Sequence, residues 1–446
     1  MNTRRSRWAR GLLASVAAAG CIPQRASWGF GGIDGMATPP DPPLACGAVL
    51  SEDPSASLRA ACTFGPGAAS SQTLGLDPAA LETVPIRHVI ILMKENRSFD
   101  HLLGHLHDRG QPGAEPVPTT YSNPDASGAA VGPNHATTTC MPWDPGHQSS
   151  DVAACVDNGR MDGFVRRAGE TTGTDGHFAM AGYDAADLPF YYWLAATFAV
   201  SDRHFAPIAS GTFANRNFLL FGSNAGVVDT GDVFPPPNTP SLMQLLMNAG
   251  YTWRVYTDGS PLSGTLDWRQ GDPGVHSMQS FYDAVDHGTL PNVAFVDGMD
   301  GVEDDHPPAD LQRGEAWVKT VYDHARASPQ WLRLAIIWTY DEGGGFADHV
   351  APQAGCAAGA SEFTQRGPRV PLVAISPWAR RNFVSHVVHD HTAITRFIEA
   401  LFGLPALTTR DANSDALFDL FDFSCGRDLA VPPEPAAGAS GCMPGA

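Results

Sequence analysis

The longest hydrophobic runs in this chain have no helical period. Arg87-His-Val-Ile-Ile-Leu-Met-Lys94 and Leu334-Ala-Ile-Ile-Trp-Thr-Tyr340 are nearly continuous apolar stretches rich in β-branched residues. That is the pattern of a strand covered on both faces. Shorter runs of the same kind fall at 251–256, 292–296 and 369–375. Between them the period changes. Leu311, Trp317, Val318, Val321, Tyr322 and Ala325 recur at helix spacing, as do Ile394, Phe397, Ile398 and Leu401, with Gly403 as a stop signal. Strands alternating with helices predict an α/β fold with a largely parallel sheet between helical layers.

Both long runs end in oxygen-bearing side chains. Glu95-Asn96 follows the first and Asp341-Glu342 the second, with Gly343-Gly-Gly345 next. In open α/β sheets, ligands sit beyond the carboxyl ends of strands. Two such ends, far apart in sequence, predict one site assembled by folding. Glu95, Asn96, Asp341 and Glu342 are therefore the candidate ligands of a divalent cation. Hard oxygens favour Mg, Ca or Mn, and nearby histidines shift the preference towards Zn. A single acid after a strand is more often a cap or a solvated turn. Two pairs after such apolar runs outweigh that reading. The triple glycine lacks the Lys and Ser/Thr of a nucleotide-binding loop, and it lets the backbone turn sharply beside a ligand.

These segments resemble the bacterial phosphoesterase family of non-specific phospholipases C and Francisella-type acid phosphatases. The resemblance rests on Glu95-Asn-Arg-Ser-Phe-Asp-His101, Thr339-Tyr-Asp-Glu-Gly-Gly-Gly-Phe-Ala-Asp-His-Val350 and Arg369-Val-Pro-Leu-Val-Ala-Ile-Ser-Pro-Trp378. Asn158-Gly-Arg-Met-Asp-Gly-Phe164, Asp305-His306-Pro307 and His391-Thr-Ala-Ile-Thr-Arg-Phe-Ile-Glu399 follow in the family's order, so the likeness spans about 84–424. It implies a three-layer α/β/α sandwich of the alkaline-phosphatase-like type, with long loops at 105–185 and 225–240 over the active face. It also implies a metal-dependent hydrolase acting on a phosphate ester or phospholipid. The family's nucleophile turn carries over onto Gly211-Thr212-Phe213-Ala214-Asn215-Arg216. Thr212 is then the nucleophile, with Ser210 as a fallback, and Asn215 and Arg216 contact the phosphoryl group. Both prolines of the family's turn are absent here. His147, in Asp144-Pro-Gly-His147, and His306 would bind phosphoryl oxygens or protonate the leaving alcohol, with His349 in support. The rival reading is a catalytically impaired cell-surface binding protein on the same fold, since fold alone does not fix function.

Charge and processing signals narrow the setting. The chain has 446 residues and a formal net charge of -19, which disfavours nucleic acid as a partner. It also calls for a local cation before a phosphate can approach. Arg4, Arg5, Arg7 and Arg10 precede a short apolar stretch ending near Ala19, the pattern of an export signal too short to span a bilayer. Ala18-Ala19-Gly20-Cys21 resembles a lipoprotein cleavage site, so both plain cleavage and a lipid anchor on Cys21 stay open. The expected product is exported: periplasmic, secreted or anchored to the outer membrane of a bacterium. The expected division is a signal peptide at 1–20, an extended arm at 21–84, a catalytic domain at 85–424 and a peripheral tail at 425–446. Eight cysteines suit an oxidising compartment. Cys46 with Cys62, Cys140 with Cys155, and Cys425 with Cys442 form sequence-local pairs. If Cys21 is not lipidated, a fourth bridge to Cys356 is open as well.

Overall fold

The structure, a computed structural model, describes residues 41, 53–229, 235–236, 238–261, 275–358, 364–426 and 428–442. The expected export signal and Cys21 lie outside the described residues. An eight-stranded sheet organises the chain: β1 His88–Lys94, β2 Ala199–Ser201, β3 Trp253–Tyr256, β4 Val275–His276, β5 Val293–Val296, β6 Leu334–Tyr340, β7 Leu372–Ile375 and β8 Phe383–Ser385. Their spatial order is β8-β2-β7-β6-β1-β5-β3-β4. Only β7 runs against its neighbours. The two long apolar runs, β1 and β6, are adjacent and parallel at the centre, with Lys94 opposite Tyr340.

The continuous apolarity of these strands has a direct cause. Ile90 and Leu92 enter one core, and Val89, Ile91 and Met93 enter the other. The first core receives α2 Pro189–Thr197, α5 Met278–Asp286 and α6 Leu311–Ala327; the second receives α3 Thr212–Phe221, α4 Leu242–Asn248 and α7 His391–Phe402. A short α1, Phe99–Leu103, follows β1 directly and is capped by Ser98. This is the three-layer sandwich the pattern predicts. Gly403 stops α7 in a left-handed conformation, φ 65°, as its position suggests.

Elsewhere the structure departs from the sequence reading. The run at 369–375 becomes a strand only from Leu372, because Pro371 cannot donate to a ladder. The segment over the active face holds two helices, Ser149–Val156 and Phe164–Thr172, with a small core of their own. Residues 53–84 form three short helices whose Leu74, Leu81 and Val84 join the second core. The sequence-local cysteine pairing is incorrect: Cys62 bonds Cys356 and Cys140 bonds Cys442, while Cys155 is free and buried. A Cys21–Cys356 bridge is thereby excluded too. Each described bridge fastens a terminal segment to the body, across 294 and 302 residues. Among the described residues no helix is long and apolar enough to cross a membrane.

Candidate active site

Because β1 and β6 pair in register up to Lys94 and Tyr340, the residues that follow them emerge side by side. Asp341 N–H donates to the Lys94 carbonyl at 3.1 Å, continuing the ladder one step. Asp341 Oδ1 then accepts from the backbone of Asn96 (3.2 Å) and of Glu342 (2.7 Å). All four expected ligands thus share one corner. Asn96 takes φ 62° there, a conformation that Asn tolerates better than most side chains. Gly344 is obligatory, at φ 63° and with room for no Cβ: one would lie 2.3 Å from the Asn96 carbonyl oxygen.

The donor set carries the mark of a missing partner. Glu95 Oε1, Asn96 Oδ1 and Glu342 Oε1 are buried and accept no hydrogen bond. Orphaned buried acceptors are uncommon and costly. Burial, reinforced by Asp341, pushes Glu342 up to about 8 even though His147 opposes the shift. Burial and Asp341 likewise push Glu95 well above the usual carboxylate range, against the pull of Arg216. Three neighbouring oxygens left without a donor are of the type a hard divalent cation takes, and such an ion would supply the absent positive charge.

The expected phosphoryl contacts are placed differently. Arg216 is buried beneath the carboxylates, with Nε on Asp341 Oδ2 at 3.1 Å and Nη2 on the Met93 carbonyl at 2.9 Å. It also lies 3.7 Å from Glu95 and 3.5 Å from Asp297. It is a counter-ion under the site. Asn215 binds its own turn, accepting from Ile208 N–H at 3.0 Å and donating to the Ser210 carbonyl at 2.6 Å. That clamp fixes the residues leading into α3 without the family's prolines. Thr212 opens α3 four residues before Arg216, on the same face. Its hydroxyl makes no hydrogen bond among the described residues, whereas Ser210 is tied to the Val228 carbonyl.

Two of the three expected histidines join the corner. His147 Nε2 lies 3.4 Å from Asn96 Nδ2, and its ring centroid is 5.8 Å from that of His306. Each ring points Nδ1 at a backbone carbonyl, Pro145 at 2.8 Å and Pro307 at 2.7 Å, so Nε2 of His147 turns to Asn96 and that of His306 lies 3.9 Å from Asp144. Burial would lower His147, but Glu342 and Asp144 outweigh it and raise the imidazole above its ordinary value. Gly345 seats this segment, because a Cβ there would meet Pro145 at 2.7 Å. His349 sits elsewhere, with Nδ1 on Asp100 at 2.7 Å beside Arg369. No contact links it to the four ligands or to Thr212 among the described residues.

Sequence reasoning missed Asp297, and it named Asp144 and Asp305 only as parts of the histidine motifs. Asp144 groups with His147 and His306. Asp297 follows β5 as Glu95 follows β1, so the same strand-then-acid signal was present. Asp305 forms a buried ion pair with Lys94 at 2.8 Å and accepts from Tyr191 at 3.0 Å and Tyr340 at 2.5 Å. It ties the residue before Glu95 to the residue before His306.

The α/β/α sandwich brings acids, an amide and imidazoles together beyond its central strands, and the relatives of the chain make it a phosphoric ester hydrolase. The chain belongs to the Phosphoesterase family, which it matches over residues 86–405. It is 30% identical over 375 residues to non-specific phospholipase C6 of Arabidopsis thaliana, covering 74% of this chain and 70% of that one. It is 29% identical over 435 residues to phospholipase C B of Mycobacterium tuberculosis, covering 81% of each. Among solved structures it is similar to a phosphonate monoester hydrolase of Agrobacterium radiobacter, at 10% identity and a TM-score of 0.36, over 72% of this chain and 74% of that one.

Proposed function

We propose that this protein is an exported, divalent-metal-dependent phosphoesterase that cleaves phosphate esters through a phosphothreonine at Thr212. The observation that carries this reading is the trio of orphaned oxygens on Glu95, Asn96 and Glu342 beside Asp341. A bound cation would neutralise the phosphoryl oxygens and favour ionisation of a nearby hydroxyl. The remaining work falls to the chain itself. Thr212 at the head of α3 has backbone N–H groups and the positive end of the helix dipole beside it, which favour an approaching phosphoryl group. Its oxygen attacks phosphorus as the ester oxygen departs. The proton lost by Thr212 passes to water, and the leaving alcohol takes a proton from His306 or His147, which regains one from the hydrolytic water. Water then hydrolyses the phosphothreonine and restores the hydroxyl. Arg216 holds Asp341 and Glu95 in place throughout.

The relatives' names favour a phosphodiester such as a phospholipid headgroup linkage, cleaved on the diacylglycerol side. Trp143, exposed beside Asp144, supplies an apolar rim suited to such a substrate. The test is Thr212→Ala assayed on p-nitrophenyl phosphorylcholine and p-nitrophenyl phosphate side by side. Turnover should fall by about 10³-fold or more on the better substrate. Full activity in the variant would end the covalent assignment.

A further inference from the structure

Behind the catalytic corner, His389, Asp415 and Asp419 point one ligand atom each at a common space. His389 is only 1% exposed. Its Nε2 stands 3.4 Å from Asp415 Oδ1 and 3.7 Å from Asp419 Oδ1. Both carboxylates face the ring nitrogen as charge partners, yet neither His389 Nε2 nor Asp419 Oδ1 completes a well-formed hydrogen bond. A charge-assisted hydrogen bond would draw these atoms to about 2.7–2.9 Å. Ligands about 2.1 Å from a tetrahedral zinc ion stand about 3.4 Å apart. The observed spacing suits the second arrangement.

The surrounding contacts are those of a metal site. His389 Nδ1 meets Ser201 Oγ at 3.2 Å, which orients the ring and leaves Nε2 for a ligand. Asp419 accepts from Ser385 Oγ, and Asp415 accepts from Leu417 N–H at 2.9 Å. Arg59 lies 3.3 Å from the other oxygen of Asp415 and offsets part of the negative charge. Asp415 and Asp419 also line a cavity of about 740 Å³ with Arg59, Arg410 and Phe418. The two carboxylates are therefore within reach of an ion that enters this cavity.

We propose that His389, Asp415 and Asp419 bind a zinc-class divalent ion, separate from the catalytic cation. One imidazole and two carboxylates are a donor set that zinc accepts, with the fourth position left to water. The site joins the segment that follows β8 to the C-terminal segment around Asp415. It also bears on the catalytic corner. Asp390 and His391 follow His389 directly, and His391 Nε2 contacts the Asp341 carbonyl at 2.8 Å.

The test uses the purified full chain, wild type and the variants His389→Gln, Asp419→Asn and Asp341→Asn, loaded with zinc chloride and desalted. Wild type should retain two equivalents of metal. His389→Gln and Asp419→Asn should each lose one equivalent. Asp341→Asn should keep the equivalent at His389. Zinc should raise the melting midpoint of wild type by about 2–5 °C, with no rise in the His389 or Asp419 variants. The site is refuted if folded His389→Gln and Asp419→Asn keep the full metal content and the zinc-dependent rise, or if wild type shows no rise. Should His389→Gln fail to fold by circular dichroism, the half-buried Asp419→Asn decides alone.

Discussion

Two buried charge clusters flank His391, and they are built in opposite ways. Around Asp390 every acceptor is satisfied. The carboxylate caps α7 through Thr392 N–H at 3.0 Å and takes Arg410 at 2.8 Å and Arg366 at 2.8 Å. Burial alone would raise Asp390, but the two guanidiniums outweigh it and hold the acid far below its ordinary range. Around Glu95 and Glu342 the balance is reversed. One guanidinium, Arg216, faces the carboxylates of Glu95, Asp341 and Asp297, and burial wins. The lesson is that burial by itself does not mark a functional acid. An unanswered buried acid does, because stability has been given up there for a ligand.

Substitution separates the two clusters. Glu342→Gln should lower kcat/KM on the order of 10³-fold while the melting midpoint of the metal-free protein holds or rises, because a frustrated charge is removed. A fall in that midpoint would make Glu342 a structural acid like Asp390. Asp390→Asn should do the reverse, costing about 3–5 kcal/mol in denaturant unfolding with the catalytic metal retained. Loss of that metal with little loss of stability would collapse the distinction.

The same contrast has a pH signature. Asp390 is held below its unfolded value of about 3.9, so its contribution is fully present above that value. It is lost as pH falls through the folded value. The stability gap between wild type and Asp390→Asn should stay constant from about pH 7 to pH 5 and shrink below about pH 4. A gap that widened in acid would reverse the assigned sign. The smallest effect lies at Ser98, which caps α1 from its side chain at 3.3 Å. Ser98→Ala should cost about 1 kcal/mol and leave the metal in place.

What the sequence revealed follows from how locally each feature is encoded. β1 and β6 were legible because a central strand must be apolar on both faces, and Glu95 and Asp341 because acids rarely follow such runs by accident. β2 and β8, three residues each at one side of the sheet, and the two-residue β4 are too short to show a period. Asn215 and Arg216 were legible as motif residues but not in their roles. Whether a guanidinium faces substrate or lies beneath carboxylates depends on how α3 packs against β1. The disulfides were illegible for the same reason: Cys62 meets Cys356, and Cys140 meets Cys442, only after the terminal segments dock.

Anomalous diffraction from crystals grown with manganese or zinc puts the most direct question to the active site. One strong peak, separate from any at His389, should fall within about 2.0–2.6 Å of Glu95 Oε1, Asn96 Oδ1 and Glu342 Oε1. A fully loaded, active crystal with no peak at that corner would show that the three orphaned oxygens do not await a cation, and the mechanism built on them would fall.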